Sequence, residues 1–241
     1  MTTLAMIFAA GRGDRMRPLT DRCPKPLLEA GGKPLIVWQI EGLARAGFET
    51  IVINHAWLGE QIEARLGDGS QWGVRLRFSA EPDALETAGG ISLALPLLET
   101  AGAPAVFVAI AGDLYTDFDY ASLRPAAKRL ANADDDAPGM HLVMVPNPVF
   151  HPRGDFSLRD GWLNVDEDAP RLTFGSIGVY DTRMFRSIVP GTKRALTPYY
   201  FETIAARRAS GERYDGLWRN VGTPAELAEI DGLLRARSKP V

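Results

Sequence analysis

The chain of 241 residues carries 27 Lys and Arg against 30 Asp and Glu, a formal charge of −3, and 46% of its residues are hydrophobic. That apolar content excludes a disordered chain. The mildly acidic balance excludes a general nucleic-acid binder, which needs surplus positive charge. One cysteine, Cys23, and three scattered histidines exclude an internal disulfide and a zinc cluster.

Residues 4–10 (LAMIFAA) read as a buried strand. No basic residue precedes this run, and it stops at Gly11. It is too short for a signal or membrane-spanning segment, so the expected setting is cytoplasmic, with no membrane partner. A Gly- and Arg-rich loop follows over 11–24. The spacing predicts a helix over 34–46, opened by Pro34 and stopped by Gly47. A strand is predicted at 49–54, a helix at 57–66, an alternating strand at 73–79 and a helix at 88–98. A buried strand at 104–110, a helix at 119–131 and a strand at 140–146 continue the series. Short strands joined by turns are predicted over 153–180, then helices at 197–209 and 223–236. The acidic run 132–138 reads as a solvated loop. Strands alternating with helices imply an α/β fold: a three-layer αβα, Rossmann-like mixed sheet, mostly parallel, with antiparallel additions late in the chain. No linker is evident, so a single domain over 1–241 is expected.

The densest chemistry is GRGDRMRPLTDRCPKPLL, residues 11–28. The loop leaves the carboxyl end of a strand, where ligands bind in open α/β sheets. Gly11 and Gly13 let backbone N–H groups approach an anion. Arg12, Arg15, Arg17, Arg22 and Lys25 outnumber Asp14 and Asp21, which suits a polyphosphate. The segment is neither a Walker A loop nor a dinucleotide fingerprint, since Met16 stands where a third Gly belongs. Asp113 follows the predicted strand 104–110, and a carboxylate there can hold a hard cation. Cys23 has no nearby His to activate it.

Gly-x-Gly-x-Arg-Met-x-Pro-Leu-Thr followed by Pro-Lys-Pro-Leu resembles the signature of sugar-1-phosphate nucleotidyltransferases, a glycosyltransferase-A-like group. That resemblance implies that Gly11, Arg12, Gly13 and Lys25 meet the nucleotide, with Arg15 and Lys25 catalytic. AGDLYTDFDY (111–120) looks like the family's Gly-Asp metal position, with Asp113 as ligand to Mg²⁺. EPDALETAGGI (81–91) resembles the base-reading segment, making Glu81, Glu86 and Gly89 candidates. WRNVGTP (218–224) matches a Trp-x-Asp-x-Gly-Thr element in which Asn220 replaces the second metal-binding Asp. Thr223-Pro224 also reads as a helix start. Two further stretches, 51–70 and HPRGDFSL (151–158), resemble the N-acetylmuramate α-1-phosphate uridylyltransferase branch more than the glucose-1-phosphate thymidylyltransferase branch. By that resemblance Gly154, Asp168 and Thr173 fall near the sugar. Asp168 replaces a frequent Glu, and Ala169 replaces a Lys that grips the sugar phosphate elsewhere in the family.

The resemblance implies transfer of a uridylyl group from UTP to a sugar-1-phosphate, in peptidoglycan recycling, by a monomer or homodimer. It implies a nucleotide-binding half near 1–115 and a sugar-binding half near 116–241. The alternatives are another sugar-1-phosphate (heptose, mannose or glucose) and an idle sugar-nucleotide-binding regulatory protein. The charge is segregated: residues 12–33 hold six basic side chains and three acidic, whereas 81–136 hold ten acidic and three basic.

Overall fold

A computed structural model describes residues 4–100, 102–133, 138–166 and 168–237. The chain runs β1 (Leu4–Phe8), β2 (Glu29–Ala30), β3 (Lys33–Pro34), α1 (Leu35–Arg45), β4 (Thr50–His55), α2 (Gly59–Leu66), β5 (Arg75–Ala80), α3 (Glu86–Leu98), β6 (Val106–Ala111) and β7 (Leu114–Thr116). It continues through α4 (Arg124–Ala131), β8 (Met140–Val145), β9 (Phe156–Arg159), β10 (Trp162–Asn164), β11 (Arg171–Asp181), α5 (Thr197–Ala205), β12 (Ala209–Arg213), β13 (Trp218–Asn220) and α6 (Pro224–Arg237).

The main sheet has the order β5-β4-β1-β6-β11-β8-β12-β10-β9, and β9 also pairs with β11. β5, β4, β1 and β6 pair in parallel. β11 runs against β6 and β8, and β10 runs against β12 and β9. Every other strand shares one direction, so the sheet is mixed and mostly parallel.

Alternation along each strand builds the layers. Ala5 and Ile7 of β1 join one core with Ile36, Ile40 and Leu43 of α1, Ile62 of α2 and Ala126 of α4. Met6 faces the opposite side, with Ala88, Ile91 and Ala94 of α3 and Tyr200 and Ile204 of α5. The result is three layers with helices on both faces. Each fully buried Leu or Ile contributes roughly 1.5–3 kcal/mol. A smaller core joins Met16, Leu28, Leu35 and Tyr115 to Val221, Ile230 and Leu234, seating α6 beside the 11–28 loop.

Local chemistry explains the boundaries. α1 ends in a Schellman motif: Gly47 is left-handed at φ 77, Phe48 N–H donates to Leu43 O and Gly47 N–H to Ala44 O. α6 opens with a capping box, Thr223 Oγ1 accepting from Glu226 N–H while the Glu226 carboxylate accepts from Gly222 N–H and the Thr223 hydroxyl. The predicted helix over 197–209 is shorter than expected. It stops at Ala205, and Ala209–Arg213 pairs in parallel with β8, because sheet pairing overrides local propensity there. The β7–β13 pairing carries no alternating signal in the sequence. The predicted loop 132–138 falls largely on 134–137, outside the described residues.

Candidate active site

A cleft of about 420 Å³ opens at the carboxyl ends of β1, β4 and β6. Ala10, Gly11, Asn54, Glu86 and Thr87 line it together with Phe174, Ser176, Tyr200 and Asp113, and Lys193 reaches it beside Glu86, with Nζ 3.9 Å from Glu86 Oε1. The size lies within the range of small-ligand sites.

The strand ends fix the centre. Gly112 N–H donates to Phe8 O at 2.9 Å, so the turn after β6 is tied to the end of β1. A Cβ at 112 would come to 3.0 Å from that oxygen, a tight approach that glycine avoids. Asp113 is thereby placed against the 11–28 loop. Its Oδ2 lies 2.5 Å from Lys25 Nζ, with the lysine side chain 10% and the aspartate 28% exposed. The loop folds over the lysine stem because Gly13 is left-handed at φ 71, with Thr20 Cγ2 and Lys25 Cβ where a Cβ would stand. Thr20 Oγ1 donates to Gly13 O at 2.8 Å and locks that turn.

The other cations of the loop divide by partner. Arg17 lies 3.4 Å from both Asp14 and Asp21 and so engages the loop's acids. Arg15 forms no ion pair among the described residues and packs on Gly222 of the 218–224 element. Arg12 departs from the expected place in the cleft wall. Its guanidinium lies 3.4 Å from the centroid of Trp57 and donates to Thr20 O, an arrangement that clamps the loop onto the segment after β4. Trp57 Nε1 donates to the same carbonyl at 3.0 Å. Burial and Glu29 push the Cys23 thiol up, so it stays protonated.

Val221 N–H donates to Asp113 O at 3.0 Å, and Asn220 pairs across the ribbon with Leu114. The backbone of Asn220 is therefore brought beside Asp113. Trp218 Nε1 donates to Gly175 O at 2.8 Å, pinning the same element to β11. Among the described residues no group of three or more His, Cys, Asp or Glu could hold a metal ion. The Asp113 carboxylate is a hard oxygen donor of the kind that binds Mg²⁺, and Asn220 on the adjacent strand adds no charge.

Several expected contacts are not at the cleft wall. Glu81 is buried behind it, accepting from Asn54 Nδ2 at 2.6 Å and from Leu85 N–H at 2.8 Å. Burial pushes its carboxyl up, and the two hydrogen bonds oppose that shift. Gly89 faces the 192–194 loop: its N–H donates to Arg194 O, and an added Cβ would overlap Thr192 O. Gly154 is a left-handed turn residue at φ 64, packed on Asn147 and Leu172. Thr173 is buried and donates to Asn147 Oδ1, since alternation on β11 turns it away while Phe174 faces the cleft. Asp168 is exposed in the turn before β11. Asp119 caps the turn at 120–123, and Asp117 accepts from Tyr214 Oη and Leu217 N–H. His55 is a packing residue, paired with Glu63 at 2.6 Å.

Phe174, Ser176 and Tyr200 escape the motif reading, as do two polar cleft residues, Asn54 and Lys193. Asn54 stands one residue before the end of β4 and accepts from Ala9 N–H, so a polar residue near the end of an apolar strand is its only signal. Lys193 lies in a loop of no distinctive pattern. Arg194 N–H donates to Leu85 O, which holds this lysine's loop on the start of α3.

Residues 4–148 match the sequence profile of the Nucleotidyl transferase family. The chain belongs to that family. Among similar nucleotidyl transferases is the N-acetylmuramate alpha-1-phosphate uridylyltransferase of Neisseria meningitidis serogroup B, 47% identical over 96% of this chain and 98% of its own. The enzyme of that name from Caulobacter vibrioides is 32% identical over 93% and 94%. A mannose-1-phosphate guanyltransferase of Gibberella zeae is 30% identical over 92% of this chain and 61% of its own. A Bacillus anthracis structure described as a glucose-1-phosphate thymidylyltransferase, solved with sucrose, superposes with a TM-score of 0.80 at 19% identity, covering 99% and 98%. HddC from Yersinia pseudotuberculosis with GMP-PN gives 0.73 at 17% identity, covering 95% and 98%. These two show the nucleotidyl transferase fold. No helix among the described residues is long and apolar enough to cross a membrane.

Proposed function

We propose that this nucleotidyl transferase moves the uridylyl group of UTP onto N-acetylmuramate α-1-phosphate, giving UDP-N-acetylmuramate for peptidoglycan recycling. The observation that carries the reading is the cleft itself. A strand-end loop with the Lys25–Asp113 pair forms its inner side, and Phe174, Ser176 and Tyr200 complete the lining of a cleft of about 420 Å³.

A phosphate oxygen of the sugar-1-phosphate attacks the α-phosphorus of UTP in line. The new P–O bond forms as the bond to the β-phosphate bridging oxygen breaks, and pyrophosphate leaves with that electron pair. No protein nucleophile is required. Catalysis is positioning plus relief of repulsion between two anions. Gly11 and Gly13 bring backbone N–H groups to the phosphates, Lys25 meets the α-phosphate and Arg15 the departing pyrophosphate. Asn54, Glu86 and Thr87 border the uridine. Lys193 supplies the cation for the sugar-side phosphate that Ala169 lacks. Asp113, with Asn220, would hold Mg²⁺, which would supply charge neutralisation when bound.

The test is pyrophosphate release across a grid of nucleoside triphosphates and sugar-1-phosphates. UTP with N-acetylmuramate α-1-phosphate should give the highest kcat/KM. Turnover with glucose-1-phosphate and none with the muramate ester would overturn the substrate assignment. No turnover with any pair would overturn the enzyme reading.

A further inference from the structure

Asp113 already has a cation. Lys25 Nζ lies 2.5 Å from its Oδ2, and the lysine is buried, its stem packed on Gly13 beside Thr20. On β13, opposite Leu114, stands Asn220, a neutral residue. A divalent ion approaching Asp113 in the free protein therefore meets one carboxylate, already neutralised, with no second carboxylate from position 220. A dehydration-resistant ion such as Mg²⁺ needs more negative charge than this donor set gives. A bound triphosphate changes both terms: it brings several anionic oxygens for the metal and offers Lys25 another anion.

We infer that the free protein has no standing divalent-metal site: Lys25 is the resident counter-ion of Asp113, and the metal enters only with the nucleotide, as Lys25 turns from the carboxylate to the phosphates. Asn220 sets this order by withholding the second carboxylate. The inference rests on the nucleotidyl-transfer reading above. It concerns the order in which metal and nucleotide bind, which that reading leaves open.

The experiment measures Mn²⁺ binding to the intact protein by electron paramagnetic resonance, with no nucleotide present. Wild type should show no saturable site up to about 1 mM Mn²⁺. Asn220→Asp should create one site per chain. Lys25→Met on that background should tighten it by about tenfold or more, because a competing unit charge is gone. Asp113→Asn on the Asn220→Asp background should abolish it, which locates the ion. Circular dichroism confirms that each variant is folded. A saturable site in wild type would overturn the inference. An unchanged affinity on removing Lys25 would overturn the role of Lys25. Should Asn220→Asp bind no Mn²⁺, Asn220 is not what withholds the metal. Equilibrium dialysis of UTP with Mg²⁺ is run in parallel. Failure to retain UTP counts against the functional reading, whereas the nucleotide-free arms decide the binding order by themselves.

Discussion

Gly222 gives the Arg15 guanidinium its seat: a Cβ on residue 222 would stand 3.1 Å from Arg15 Nη2 and 3.2 Å from Glu226 Oε2. The glycine of the 218–224 element thus positions a cation carried by a loop some two hundred residues earlier. Gly222→Ala should lower kcat by about ten- to a hundredfold through displacement of Arg15. Steady-state pyrophosphate release checks this, and an unchanged kcat would remove Arg15 from the transition state.

Lys25→Ala should cost about a hundredfold or more in kcat, the scale for losing a preorganised donor at a developing charge. The fold should persist, since Asp113 is part-exposed and water can replace the ammonium. Single-turnover kinetics and circular dichroism together check it. Near-normal activity would contradict the assignment of the loop.

Glu81 acts on the site from behind. Its carboxylate holds the Asn54 amide, which holds Ala9 N–H, and it also holds Leu85 N–H. Glu81→Ala leaves two buried donors without acceptors and should destabilise the protein by about 1–3 kcal/mol. It should also raise KM for UTP. Urea denaturation together with substrate titration reads both effects, and a stability equal to wild type would show that water replaces the carboxylate.

Gly89→Ala drives a methyl group into the Thr192 carbonyl, so the 192–194 loop must shift. The overpacking should cost about 1–3 kcal/mol. Because Lys193 rides on that loop, KM for the sugar-1-phosphate should rise more than KM for UTP. Equal changes would place Lys193 outside the sugar side.

Tyr214 donates to Asp117, and burial first, with that carboxylate, pushes its phenol up to about 12 from 10.0. A raised folded value means that the contribution is whole below pH 10 and is lost as pH rises through about 12. Tyr214→Phe should therefore be less stable than wild type at pH 8, with the gap narrowing once pH passes 10. Denaturant midpoints at several alkaline pH values measure it; a constant gap would show that the phenol does not titrate there.

Much of the fold was legible because buried parallel strands are continuous apolar runs and their helices carry stop signals such as Gly47 and Gly67. β12 was missed because Ala209–Arg213 has no apolar run of its own, and its place as a strand comes from pairing with β8 and β10. The phosphate loop and Asp113 were legible because charge and glycine lie close together in sequence. The stacking of Arg12 on Trp57 was not legible because the two residues are 45 positions apart. Glu81 and Gly89 stood in a legible segment, but which side of that segment meets ligand depends on the 192–194 loop. Lys193 was invisible because nothing local distinguishes it from a surface lysine.

β11 pairs with β6, β8 and β9, and carries a register shift between Phe174 and Gly178 with Ser176 left-handed at φ 56. One continuous stretch of backbone thus contributes Phe174 and Ser176 to the cleft while bonding to a strand of the nucleotide side. The two walls cannot swing apart as rigid halves without breaking that ladder. Substrate entry and product exit are left to the loops at the rim, 11–24 and 191–195, so turnover should answer to loop stiffness, not to hinge geometry.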